Sequence, residues 1–188
     1  MIKAIDSLDR CHVAAILLDA AEGVSEQDTR IFGYAFEKGK GVVMVVNKWD
    51  LIKGNQREKN LLDKEIDRQL NFISFAPRIN LSALTGERVI KLLDKIDRVY
   101  EQFSRKFSTP SLNRALQQTI EKHPPPRTGR GRLKFLYATQ VRTRPPTFAV
   151  FVNRPDLVHF SYKRFLINQL RAHLQLEFAP MKLDFRKK

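Results

Sequence analysis

Residues 13–18 (Val-Ala-Ala-Ile-Leu-Leu) and 42–46 (Val-Val-Met-Val-Val) are unbroken apolar runs. Both have strand length, and without polar alternation they match strands buried on both faces of a parallel sheet. Between them the pattern changes to a helical one. Ser25 opens it, with Asp28 three positions on, as in a capping box. Ile31, Phe32, Ala35 and Phe36 follow at helical spacing, and Gly39 stands where a left-handed residue ends a helix. A charged helix is expected over 56–71, burying Leu61, Leu62, Ile66 and Leu70. A short strand over 78–81 precedes a helix over 86–103, which would bury Val89, Leu92, Leu93, Ile96, Val99, Tyr100 and Phe103. The order βαβαβα predicts a parallel sheet with right-handed crossovers, whose ligands sit at the carboxyl ends of the strands.

After a linker at 105–109 the rhythm is different. Thr109-Pro110 starts a helix with proline in its first turn, and Leu112, Ala115, Leu116, Thr119 and Ile120 form its apolar face. His123-Pro124-Pro125-Pro126 stops it, and a basic loop follows over 127–132. Two aromatic-rich strands (133–141 and 147–153), a helix (161–174, burying Tyr162, Phe165, Leu166 and Leu170) and a last strand (181–185) complete an α-β-β-α-β module. The expected division is therefore 1–108 and 109–188. Phe135, Tyr137, Phe148, Phe151 and Phe160, at alternating strand positions or beside a helix, are expected in the core rather than as stacking platforms.

Charge sharpens that division. Residues 1–108 carry 18 Lys and Arg against 16 Asp and Glu, whereas residues 109–188 carry 16 against 4. Nearly all of the net charge of +14 thus belongs to the second part, which points to a polyanionic partner. Cys11 is the one cysteine and the four histidines have no ligand spacing. No disulfide framework or metal site is expected, and a reducing cytoplasm fits. No apolar stretch reaches the roughly 20 residues that cross a bilayer, and the first residues lack a signal-peptide core. Neither a membrane nor DNA is expected as a partner.

The sharpest chemistry lies at the end of the second apolar run, in Asn47-Lys48-Trp49-Asp50. An ionised carboxylate only accepts hydrogen bonds. Asp50 can take both N1–H and the exocyclic N2–H₂ of guanine, whereas adenine would leave it unpaired, a strong source of discrimination. Asn47 can bond the base edge or tie loops together. Lys48 can lay its methylene stem along the base while its ammonium stays wet, and Trp49 reads as packing. Ser82-Ala83-Leu84 ends the next short strand, and a loop there can offer backbone N–H groups to guanine O6. A polar turn after a buried strand is the bland alternative, but the two motifs stand in the order that one base site needs. No G-x-x-x-x-G-K-[ST] or Asp-x-x-Gly occurs in the chain, so no catalytic residue is assigned.

These motifs, with Leu18-Asp19-Ala20-Ala21-Glu22-Gly23, Tyr137-Ala138-Thr139-Gln140, Pro146-Thr147-Phe148, Phe151-Val152-Asn153 and Asp184-Phe185-Arg186, give the chain its likeness. It resembles the C-terminal part of the Der (also called EngA) family of bacterial GTPases, which carry two successive G domains and a KH-like domain. The resemblance implies an α/β fold: a partial parallel-sheet P-loop-type G domain followed by a small α+β KH-like domain. It implies GTP and GDP as ligands, with magnesium in the intact parent. It also implies the large ribosomal subunit and its RNA as partners, with the missing half of the G domain and the preceding G domain of the intact parent as further ones. Asn47, Lys48, Asp50, Ser82, Ala83 and Leu84 would surround guanine. Arg127, Arg130, Arg132, Lys134, Arg142, Arg144, Arg154, Lys163, Arg164 and Arg171 are the candidates for RNA contact, with Arg164 and Arg171 seven apart on one helix. Gly129-Arg130-Gly131 lacks the G-x-x-G spacing of a sequence-reading KH loop, so phosphate contact is expected there. Two readings stay open: a GTPase-family ribosome-assembly factor whose isolated chain is inactive, and a non-enzymatic RNA- or ribosome-binding module with a vestigial half G domain.

Overall fold

A computed structural model describes residues 2–125 and 131–188. The chain divides into two compact units. Met1–Gln102 with Phe178–Pro180 form the first, and Phe103–Glu177 with Met181–Lys188 form the second.

The first unit is built on three parallel strands in the order β1 (Val13–Asp19), β2 (Gly41–Asn47), β3 (Arg78–Asn80). Its helices are α1 (Ile2–Arg10), α2 (Glu26–Glu37), α3 (Trp49–Ile52), α4 (Gln56–Gln69) and α5 (Val89–Ser104). β2 is apolar throughout because both of its faces are covered. Val42, Met44 and Val46 pack with Leu18, Phe32, Leu62 and Ile66 on one side. Val43 and Val45 pack with Ile79, Leu81 and Val99 on the other. Gly41 lets α5 come this close, since a Cβ there would lie 2.9 Å from Val99 Cγ1 and 3.0 Å from Val13 Cγ2.

Local signals act as expected at α2. Ser25 and Asp28 form the full capping box, and Gly39 takes a φ of 67° just past the helix. Elsewhere the expected boundaries and faces shift. The helix expected from residue 86 starts at Val89, because Gly86 and Arg88 both hold left-handed φ values that no helix accommodates. Leu61, Leu93, Val89, Tyr100 and Phe36 are exposed rather than buried: the apolar stripes on their helices are wider than the faces covered. β1 also departs from burial on both faces. Ile16 and Leu18 are buried, whereas Leu17 is 55% exposed. Among the described residues β1 has a neighbouring strand on one edge only, with a single bridge from Asp19 to Gly23 besides.

The second unit has the α-β-β-α-β order read from the sequence. Its helices are α6 (Thr109–Lys122) and α7 (Phe160–His173), and its strands are β4 (Phe135–Arg142), β5 (Thr147–Val152) and β6 (Lys182–Lys187). The sheet order is β4-β5-β6, with β4 antiparallel and β6 parallel to β5. Phe148, Val150, Val152 and Leu183 face the helices and are buried. The Asn113 side chain of α6 caps the free edge of β4, accepting from the Ala138 N–H (2.8 Å) and donating to the Ala138 carbonyl (2.9 Å). An edge strand protected this way cannot recruit another chain at that point.

Candidate functional site

In the first unit the strand ends bring together the residues that the sequence singles out. β2 delivers Asn47 to the sheet's carboxyl edge. Lys48 then turns the chain at a φ of 57°, and Trp49 begins the single turn of α3. The tight turn is held from both sides. Ala20 N–H donates to the Asn47 carbonyl (2.9 Å), and Trp49 N–H donates to the Leu81 carbonyl (3.1 Å). The Asn47 Oδ1 accepts from the Ala83 N–H at 3.0 Å. Of the two roles open to Asn47, the structure shows loop tying, and it engages one of the backbone donors expected to be offered to guanine O6.

Ser82 is fully buried. Its N–H donates to the Glu87 carbonyl (3.1 Å), while its hydroxyl accepts from Thr85 N–H (3.2 Å). It shapes the loop, and Leu84, 90% exposed, stands at the loop's tip. Trp49 is packing, as read from the sequence: it is buried, with the Lys59 ammonium and Arg78 guanidinium 5.8 and 6.0 Å from its ring centroid.

Asp50 sits in the first turn of α3, and its Oδ1 is buried with no hydrogen-bond partner among the described residues. An unsatisfied buried acceptor is costly, on the order of 1–3 kcal/mol, and such groups seldom stand in folded proteins without a reason. A ligand that brings two donors satisfies it, and guanine's N1–H and N2–H₂ are such a pair. The residues present therefore fit a guanine base.

Sequence reasoning missed Asp19. It ends β1 in register with Asn47, and its Oδ2 pairs with the Lys48 ammonium at 2.5 Å. Burial pushes the Asp19 carboxyl up, but the Lys48 hydrogen bond and the Ala21 N–H (2.9 Å) outweigh it, so it titrates below the ordinary aspartate value. The same hydrogen bond to Asp19 holds the Lys48 ammonium above the usual lysine value. Lys48 is thus tied to the end of β1. The available signal was the parallel pairing itself, which sets the last residues of neighbouring strands side by side.

The second unit sorts the basic candidates. Arg127 and Arg130 lie outside the described residues. Arg132, Lys134, Arg142 and Arg144 are exposed. Asn153 fixes the backbone around the first two, accepting from Lys134 N–H (2.8 Å) and donating to the Arg132 carbonyl (2.9 Å). Arg164 is exposed over the Phe160 ring, and Lys163 is half-buried with its ammonium 5.8 Å from the Phe185 centroid. Two candidates are differently occupied. The Arg154 guanidinium forks onto Asp156 (3.0 and 2.7 Å), which raises its pKa. Arg171 turns inward to donate to the Leu176 carbonyl (3.2 Å), and burial pushes it down to about 10. It does not stand open beside Arg164, because the left-handed Gln175 (φ 52°) folds the end of α7 back over it.

Among the described residues no helix is long and apolar enough to cross a membrane. Comparison with known proteins covers the whole chain. Residues 1–102 match the model of the elongation factor Tu GTP-binding domain. Residues 106–186 match the model described as the KH-domain-like, C-terminal domain of EngA bacterial GTPase enzymes. The chain is 48% identical over 186 residues to GTPase Der of Desulfitobacterium hafniense, covering 99% of this chain and 42% of that protein. It is 42% identical over 188 residues to GTPase Der of Desulforamulus reducens, covering all of this chain and 43% of that protein. A crystal structure of Aquifex aeolicus Era bound to GDP and AlF₄⁻ aligns at 17% identity and a TM-score of 0.44, covering 98% of this chain and 67% of that one. That likeness is too weak to bear on function. The chain spans less than half the length of these Der relatives, and it belongs to the Der (EngA) GTPase family.

Proposed function

We propose that this chain carries the base-reading half of a guanine-nucleotide site and joins it to a basic unit that contacts ribosomal RNA. The orphaned Oδ1 of Asp50 carries the first part of the reading. It is a buried acceptor beside a loop that Asn47 locks to Ala83, and guanine supplies the donors it lacks. Lys48, held by Asp19 at the end of β1, covers the base in this reading. Ser82 and Leu84 complete the loop around it.

In the whole protein we expect GTP and magnesium to be bound and GTP to be hydrolysed, in keeping with the name of the Der relatives. We assign this activity to assembly of the large ribosomal subunit in the cytoplasm. The 188 residues contain no G-x-x-x-x-G-K-[ST] and no Asp-x-x-Gly. Nothing here can cradle the β- and γ-phosphates or hold magnesium in the way phosphoryl transfer needs, so the chain alone does not turn GTP over. The open edge of β1 and the exposed Leu17 beside it suit continuation of the sheet by the rest of a G domain.

Equilibrium dialysis of the chain against labelled GDP and ADP tests the base site. Preference for GDP is expected, and equal retention of the two overturns the reading. Cosedimentation with ribosomal subunits over a salt series tests the basic unit. Binding should fall steeply with salt, and binding that ignores salt overturns the electrostatic account.

A further inference from the structure

Two irregularities in β4 present a surface that strand alternation would bury. Phe135 pairs with Val152 and Tyr137 with the adjacent Phe151, so Leu136 is an inserted residue. In an unbroken strand Phe135 and Tyr137 would share a face, but a bulge re-aims the side chains beyond it. Phe135 points to the helices, its ring 5.9 Å from that of Tyr162 on α7. Tyr137 lies on the opposite face, its ring 4.4 Å from Phe151 at an interplanar angle of 16°. It is 38% exposed.

The second shift, at Val141, does the same for charge. Gln140 pairs with Phe148 on the helix side, and Arg142 pairs with Thr147 on the open side. Carried into β6, the register aligns Arg142, Thr147 and Lys182 in one row and Tyr137, Phe151 and Arg186 in another. Arg142, Lys182 and Arg186 are all exposed. Asp184, the carboxylate between those rows, is 2.8 Å from the Arg186 guanidinium, so the face remains cationic.

A near-parallel aromatic stack rimmed by cations suits a single-stranded nucleic acid: a base continues the stack while the cations meet phosphates. A protein partner would favour a broader apolar patch depleted of charge. We propose that the open sheet face built on Tyr137 and Phe151, with Arg142, Lys182 and Arg186 around it, binds an unpaired base of single-stranded RNA by stacking. This rests on the reading of the basic unit as an RNA-contacting one, and it adds a base contact to phosphate contacts alone.

The probe is a single-stranded RNA oligonucleotide carrying 2-aminopurine, titrated with the whole chain and followed by fluorescence and anisotropy, with a duplex of equal length beside it. Stacking quenches the probe. Tyr137→Leu should weaken single-strand binding by at least about fivefold and abolish the quench. Tyr137→Phe should retain both, and circular dichroism should show all three chains folded. A Tyr137→Leu chain that binds and quenches like the parent overturns the proposal while leaving the phosphate reading intact. Preference for the duplex also overturns it. No binding to any RNA at low salt overturns the proposal and the RNA-contact reading together. Loss of ribosome binding in Tyr137→Leu, with naked RNA binding unchanged, overturns it in favour of a protein partner.

Discussion

Replacing Asp50 with asparagine separates a structural carboxylate from a base-reading one. The substitution keeps the shape and removes the charge, so packing around α3 is preserved. Among the described residues the buried Oδ1 receives no hydrogen bond, so no internal bond is lost. What is lost is the favourable placement of a negative charge in the first turn of a helix, about 0.3–1 kcal/mol. Against it stands relief of part of the cost of a buried unsatisfied acceptor, which is on the order of 1–3 kcal/mol in full. The relief offsets the loss, and Asp50→Asn should lower unfolding stability by no more than about 1 kcal/mol. Its effect on the base should be far larger. Two bonds to a charged acceptor are replaced by one neutral bond and one clash of donors. At about 1.5–3 kcal/mol for a bond to a charged group, guanosine monophosphate affinity should drop at least tenfold. Xanthosine monophosphate, with a carbonyl at position 2, should bind the asparagine variant better than the parent, since the new amide can donate to it. Urea unfolding followed by Trp49 fluorescence, with nucleotide titrations of both chains, provides the two numbers. A stability loss above about 2 kcal/mol without nucleotide, with the guanine preference kept, would refute this by making Asp50 a structural carboxylate instead.

Gly41→Ala should destabilise the chain by about 1–3 kcal/mol, because the new methyl meets Val99 and Val13 in a packed interior; a denaturant midpoint matching the parent's would show that α5 gives way freely. The Asp19 carboxyl titrates below its ordinary value, so its ion pair with Lys48 adds stability above the unfolded-state pKa. That stability is lost as pH falls through the lowered folded value. Unfolding curves between about pH 6 and pH 2 should therefore steepen in the parent relative to Asp19→Asn, and parallel curves would contradict the pairing. Reversal of Arg132, Arg142 or Arg164 to Glu should weaken RNA binding and lower its salt slope by about one unit or more per residue. Arg171→Gln should leave that slope unchanged, since its guanidinium already serves the Leu176 carbonyl.

The sequence makes legible those features that local chemistry decides. β2 reads as a buried strand because every residue from Val42 to Val46 is apolar, and α2 reads as a helix with defined ends because Ser25, Asp28 and Gly39 each perform one capping task. Asn47, Lys48 and Asp50 could be singled out because their functional groups follow one another at a strand end. Features set by pairing were hidden. Asp19 meets Lys48 only through the β1–β2 register, which no local pattern encodes. Tyr137 was expected in the core because it stands two residues from Phe135, and the bulge at Leu136 cancels that inference. Leu61 and Leu93 were expected inside because helical spacing marks a stripe without showing how much of it a sheet will cover. Arg171 matches Arg164 in periodicity, yet the left-handed turn at Gln175 withdraws it.

In the reading proposed for the first unit, Asn47, Asp50 and the 82–84 loop recognise guanine. Amide-resolved NMR titration of the chain with guanosine and adenosine monophosphates tests it most directly. Shifts confined to residues 47–50 and 82–84, with Lys48 among them, are expected with the guanine nucleotide and absent with the adenine one. Equal shifts with both nucleotides, or shifts with the guanine nucleotide that bypass Asp50 and Ala83, would contradict it.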